Sequence, residues 1–68
     1  MNTMQEEKHL HSLIKRLENY RLENKIPQAK LAMLLDVSLN TVNNWMTGKT
    51  LPNQIQAYTV EKFLLKEA

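Results

Sequence analysis

The sequence predicts an all-α fold, a compact bundle of four to five helices. Three observations carry that expectation. Apolar residues recur three and four positions apart in separate stretches, as they do in helices that bury one stripe. The chain holds one Gly, two Pro and few β-branched residues, so little of it favours extended backbone. Between the stretches stand helix stop and start signals: Asn24-Lys25-Ile26-Pro27, Asp36-Val37-Ser38, and Gly48 followed by Pro52.

Size and composition set the outer bounds. A chain of 68 residues makes one domain, and at that length it buries only about 60% of its unfolded surface. It has no Cys, so neither a disulfide framework nor a Cys-based zinc site braces it. No apolar run approaches the roughly 20 residues that span a bilayer, and MNTMQEEKHL lacks the apolar core of a signal peptide. The expectation is a soluble domain in a reducing cytoplasm.

Thr3-Met4-Gln5-Glu6 fits a capping box. Residues 1–8 are read as an N-terminal arm or first helix turn, ahead of a domain at 9–66. From Leu10 the stripe Leu10, Leu13, Ile14, Leu17 and Tyr20 predicts an amphipathic helix, with Lys15, Arg16, Glu18 and Glu23 on its wet side. His9 and His11 are two apart and point to different faces, so they do not share a metal. No metal or cofactor is expected.

Pro27 suits a helix's first turn, and the residue before it is pushed away from helical angles. A second helix therefore runs from about Pro27 to Leu35, with Leu31, Leu34 and Leu35 as its apolar pattern and Ala32 small enough for close packing. Asp36 stands at the stop, where a positive φ is often needed and Asp tolerates it at some cost. Ser38 is a natural N-cap for a third helix over 39–47, which Gly48 ends at C′. Asn53 can cap the last helix, with Gln56 in the reciprocal position. Ile55, Ala57, Val60, Phe63 and Leu64 give that helix a mixed apolar face with Tyr58 at its edge. Leu31, Leu35, Val37, Val42 and Trp45 are expected in the core, and Met33 and Met46 as gap fillers beside it.

The third helix is the informative one. At 100° per residue, Val42 and Trp45 share one side, and Asn40, Asn43, Asn44 and Thr47 fill the arc opposite. Solvated helix faces usually carry Lys and Glu, whereas Asn is a poor helix former. An amide offers a donor and an acceptor together, the pattern that suits a base edge in a DNA groove. Charge agrees. Net charge is only +2, but from Asn24 to Val60 the one acid is Asp36, while Lys25, Lys30 and Lys49 lie in that span. A face approaching phosphate requires such an exclusion of acids.

Residues 28–47 resemble the helix-turn-helix unit of the Cro/repressor-like (XRE) family of bacterial and phage DNA-binding regulators. Gln28 occupies the family's opening Gln, Leu31-Ala32 its Leu-Ala and Val37-Ser38 its turn. Thr41-Val42 and Trp45 match the inner side of its recognition helix, and Gly48-Lys49 with Pro52 its G-K-x-x-P. The likeness extends more loosely from about Leu13 to Leu64 and implies a lambda-repressor-like fold. Three positions depart from the pattern. Asp36 replaces a preferred Gly, Pro27 a capping Ser or Thr, and Met46 a Glu that in many members pairs with the Arg of the first helix, here Arg21. Arg21 must then use carbonyls, Glu18, solvent or a phosphate.

The resemblance implies base contacts from Leu39, Asn40, Asn43 and Asn44, and phosphate contacts from Gln28, Ser38, Thr41, Lys49 and Asn53. Thr47, Thr50 and Lys30 are weaker candidates. It also implies a sequence-specific regulator, a repressor from a phage or mobile-element setting, with double-stranded DNA as partner. The alternative is a protein-interaction module or antitoxin component that reuses the fold. An enzyme is not expected: there is no Cys, the His residues are unpaired and the middle of the chain is nearly free of carboxylates. No membrane and no small-molecule substrate are indicated. A two-fold dimer, formed in solution or only on DNA, would extend a short half-site. Leu51, Ile55, Tyr58, Phe63 and Leu65 offer apolar surface for it.

Overall fold

The structure is a computed structural model that describes residues 3–67, with side chains from residue 6 onward. The capping box at Thr3 lies outside the described side chains. The chain folds into α1 (Thr3–Glu23), α2 (Gln28–Leu35), α3 (Leu39–Thr47) and α4 (Gln54–Glu67). It is all-helical among the described residues. α2 packs on α3, α1 on α4 and α3, and α2 on α4.

One core joins all four helices. α1 contributes Leu13, Ile14 and Leu17; α2 contributes Leu31, Ala32 and Leu35; α3 contributes Val42 and Trp45; α4 contributes Ala57, Val60 and Leu64. Leu10, Tyr20, Ile26, Val37, Met46 and Phe63 close its edges. Phe63 meets Tyr20 edge to face at 5.4 Å between ring centroids, the arrangement their quadrupoles favour. It therefore belongs to the α1–α4 packing more than to an exposed surface. His9 hydrogen-bonds Glu61 at 2.8 Å and links α1 to α4 a second time.

One apolar position lies elsewhere than expected, and a second, read both as inner face and as outer surface, falls on the outer side. Met33 is 81% exposed instead of filling a gap near the core. α2 buries Leu31, Ala32 and Leu35, and Met33 follows Leu31 by about 200° of helix rotation, on the far side. The same rotation separates Ile55 from Ala57, so Ile55 is 78% exposed and leaves the inner face of α4. Leu34 falls between these cases, half-exposed at the margin of the α2 stripe.

The first three helices end alike. The N–H of Ile26 reaches the carbonyl of Arg21, that of Val37 reaches Ala32 and that of Lys49 reaches Asn44. These are the long backbone bonds of a Schellman ending. The residue before each donor has a positive φ: Lys25 at 55°, Asp36 at 58° and Gly48 at 79°. Glycine adopts this conformation freely, whereas a side chain there costs about 1–2 kcal/mol. Lys25→Gly and Asp36→Gly should therefore each stabilise the domain by about 0.5–1 kcal/mol, once the greater freedom of glycine in the unfolded chain is subtracted. Urea unfolding of each variant reads this directly; a lowered midpoint would show that the side chain holds the turn.

Candidate nucleic-acid interface

The third helix presents the arc anticipated from its sequence. Val42 and Trp45 are buried at 0% and 3% exposure, while Asn40 and Asn43 are exposed and Asn44 is half-buried. α3 begins on Ser38, whose Oγ accepts the N–H of Thr41 at 3.0 Å. It stops at Gly48. Its nine residues make a rod of roughly 13 Å, short enough to enter a major groove with its first turns leading. Leu39, the first residue of the rod, is half-exposed beside the arc.

Around the rod the polar groups have definite hydrogen-bonding states. Gln28, at the start of α2, accepts from Asn43 Nδ2 at 3.4 Å, a long contact that ties the two helices loosely across the turn. Among the described residues its own amide nitrogen has no partner and can donate. Ser38 and Thr41 hydroxyls lie 2.8 Å apart. One must donate to the other, so the pair keeps a single O–H for an outside acceptor, whichever way it is oriented. Thr47 is exposed, but its hydroxyl is engaged along its own helix, donating to the Asn43 carbonyl at 2.9 Å. That engagement leaves Thr47 the poorest donor on the arc.

Asn53 and Gln56 form a reciprocal cap on α4. Asn53 Oδ1 accepts the Gln56 N–H at 2.8 Å and Gln56 Oε1 accepts the Asn53 N–H at 2.9 Å. The acceptor of Asn53 is thus occupied and its NH2 group remains, a donor suited to phosphate. Lys30, Lys49 and Thr50 are exposed. Among the described residues no side-chain hydrogen bond joins Lys30, Lys49, Thr50 or Asn53 to the amide arc. The structure brings Gln28 to Asn43 and Ser38 to Thr41, and leaves the others as separate points on the surface.

Arg21 resolves differently from the usual pairing with the recognition helix. Glu18, expected on the wet side of α1, is partly buried and receives both Nε and Nη2 of Arg21 on one oxygen, at 2.9 and 2.6 Å. Arg21 Nη1 also donates to the Ile26 carbonyl at 3.1 Å. Carbonyls and Glu18 were both among the partners expected for Arg21; which carbonyl it takes was not visible, because that depends on how the chain turns after α1. Met46, at the position of the missing acid, is half-buried against the core.

A family model described as helix-turn-helix matches residues 17–66. Among curated proteins and among solved structures nothing matches the chain.

Proposed function

Since the chain belongs to the Cro/repressor-like (XRE) helix-turn-helix family of DNA-binding proteins, we propose that it binds duplex DNA sequence-specifically through α3 and acts as a transcriptional repressor. The observation that carries this reading is the uncharged amide arc over a buried Trp45, with Asn40 and Asn43 exposed and Asn44 half-buried beside them. α2 lies across the phosphate backbone and α3 enters the major groove. Leu39 meets a thymine methyl, and the Asn side chains read base edges. Gln28, Ser38, Thr41, Lys49 and Asn53 hold phosphates and so set register without reading sequence. Lys30 and Thr50 stand near the backbone as secondary contacts. The setting is the cytoplasm of a bacterial or phage-infected cell; among the described residues no helix is long and apolar enough to cross a membrane.

A gel shift against labelled duplex with competitor DNA at two salt concentrations tests the proposal. Specific binding survives excess competitor, and a chain that is only an interaction module gives no shift. In the same assay Lys49→Ala should weaken all duplexes alike and reduce the slope of log affinity against log salt by about one unit. An unchanged slope removes Lys49 from the phosphate set.

A second reading concerns α4. Ile55, Tyr58 and Leu65 are exposed and recur with Lys62 at alternating three- and four-residue steps, the spacing of a helix-pairing seam. Lys62 Nζ sits 5.5 Å from the centre of the Tyr58 ring. This stripe supports pairing with a second copy about a two-fold axis. It equally supports the alternative in which the domain serves as an antitoxin component or adaptor.

A further inference from the structure

α2 starts without the side-chain cap that its neighbours have. Ser38 caps α3, and Asn53 with Gln56 caps α4. At the head of α2 stands Pro27, extended at φ −62° and ψ 151°, with no side-chain hydrogen bond to the first turn. Something else must set the angle at which the chain enters this short helix, because an eight-residue helix has little stability of its own.

Arg21 is placed to do so. Its backbone carbonyl accepts the N–H of Ile26 at 2.9 Å, and its Nη1 donates to the carbonyl of Ile26 at 3.1 Å. Both polar backbone groups of Ile26 are thus held by one residue. The guanidinium is itself gripped by Glu18 through Nε and Nη2. The Arg21 side chain is only 16% exposed, so it is turned into the fold and away from an approaching phosphate. Between the two ends of this clamp lies Lys25, at φ 55°, a conformation that persists only where its surroundings hold it.

From this geometry we infer that Arg21 is a positioning residue for DNA binding: it clamps the α1–α2 turn through Ile26 and thereby places Gln28, two residues on, against the DNA backbone. The inference rests on the proposed role of Gln28 as a phosphate contact. Lysine cannot replace arginine here. A compact ammonium lacks the planar fork that holds Glu18 and the carbonyl at once.

The test compares the unsubstituted chain with Gln28→Ala, Arg21→Lys, Arg21→Met and the Gln28→Ala/Arg21→Lys double variant. Each is titrated with a random-sequence duplex pool, well below its melting temperature. Gln28→Ala and Arg21→Lys each weaken binding about five- to tenfold, the effect of losing one well-made hydrogen bond. The double variant binds no more weakly than the weaker single variant, because both act on one contact. The salt slope of Arg21→Met stays that of the unsubstituted chain, since Gln28 carries no charge. Full affinity in Arg21→Lys overturns the inference, as charge alone then suffices. A slope reduced by about one in Arg21→Met overturns it too, by making Arg21 a direct phosphate contact. If the double variant loses the product of the two single effects, the clamp acts elsewhere and only the inference falls. If Gln28→Ala binds normally, the phosphate role of Gln28 falls, and the inference with it. Arg21→Lys keeps a donor and a charge, so the cycle can be read even where Arg21→Met does not fold.

Discussion

Trp45→Ala should leave the domain largely unfolded at room temperature. The indole is 3% exposed and belongs to the core that unites all four helices. Truncating a buried Trp to Ala costs about 3–5 kcal/mol. A single core in a chain below roughly 70–80 residues rarely supplies more than about 3–5 kcal/mol in total. The loss is therefore comparable with the whole stability, and the helical signal in far-UV circular dichroism should collapse. Trp45→Phe keeps an aromatic ring and most of the contacts. It should fold with a lowered melting temperature and bind duplex DNA within about twofold of the unsubstituted chain, well inside what one lost hydrogen bond would cost. A Trp45→Ala variant that melts normally but no longer binds DNA would put the indole on the wrong side of α3, and the orientation of the amide arc would fall with it.

The largest expected effect on recognition comes from Asn40 and Asn44 together. A carboxamide can pair bidentately with adenine in the major groove, and a good pair contributes about 1–3 kcal/mol of discrimination. Selection from a random duplex pool should therefore return A·T pairs at the positions facing these residues. On the selected site, Asn40→Ala and Asn44→Ala should each lower affinity by about 1–3 kcal/mol, and the double variant by roughly the sum if the two read separate base pairs. Preference for A·T at the affected position should relax in parallel. Asn43→Ala should matter less, since Asn43 already donates to Gln28. G·C at both positions, or an unaltered preference in the double variant, would remove these residues from base reading.

The three-residue interactions were the most legible part of the chain. Ser38 capping α3, Asn53 with Gln56 capping α4, and Gly48 closing α3 all appear as read. Each depends on groups a few residues apart, and such local chemistry forms wherever the helix forms. The positive φ at Asp36 was legible for the same reason. Lys25 carried no such signal. Lysine has no preference for a left-handed backbone, and nothing in its neighbours announces the Arg21–Ile26 bonds that hold it there. Met33 was misplaced, and Ile55 was read both as inner face and as outer surface, because a helix with apolar residues all round does not declare which of them face inward. The phase is set by the helices packed against it.

What the chain determined by itself is where α2, α3 and α4 begin, where α2 and α3 stop, the inward side of α3, and hence the arc of Asn40, Asn43 and Asn44 opposite it. Periodicity and capping are properties of neighbouring residues, so they are written along the chain. The tertiary structure decided which residues close the turn between α1 and α2, which of the α2 and α4 apolar residues reach water, and that Gln28 meets Asn43. Those outcomes depend on groups brought together only when the four helices share one core, and no spacing along the chain encodes such distances.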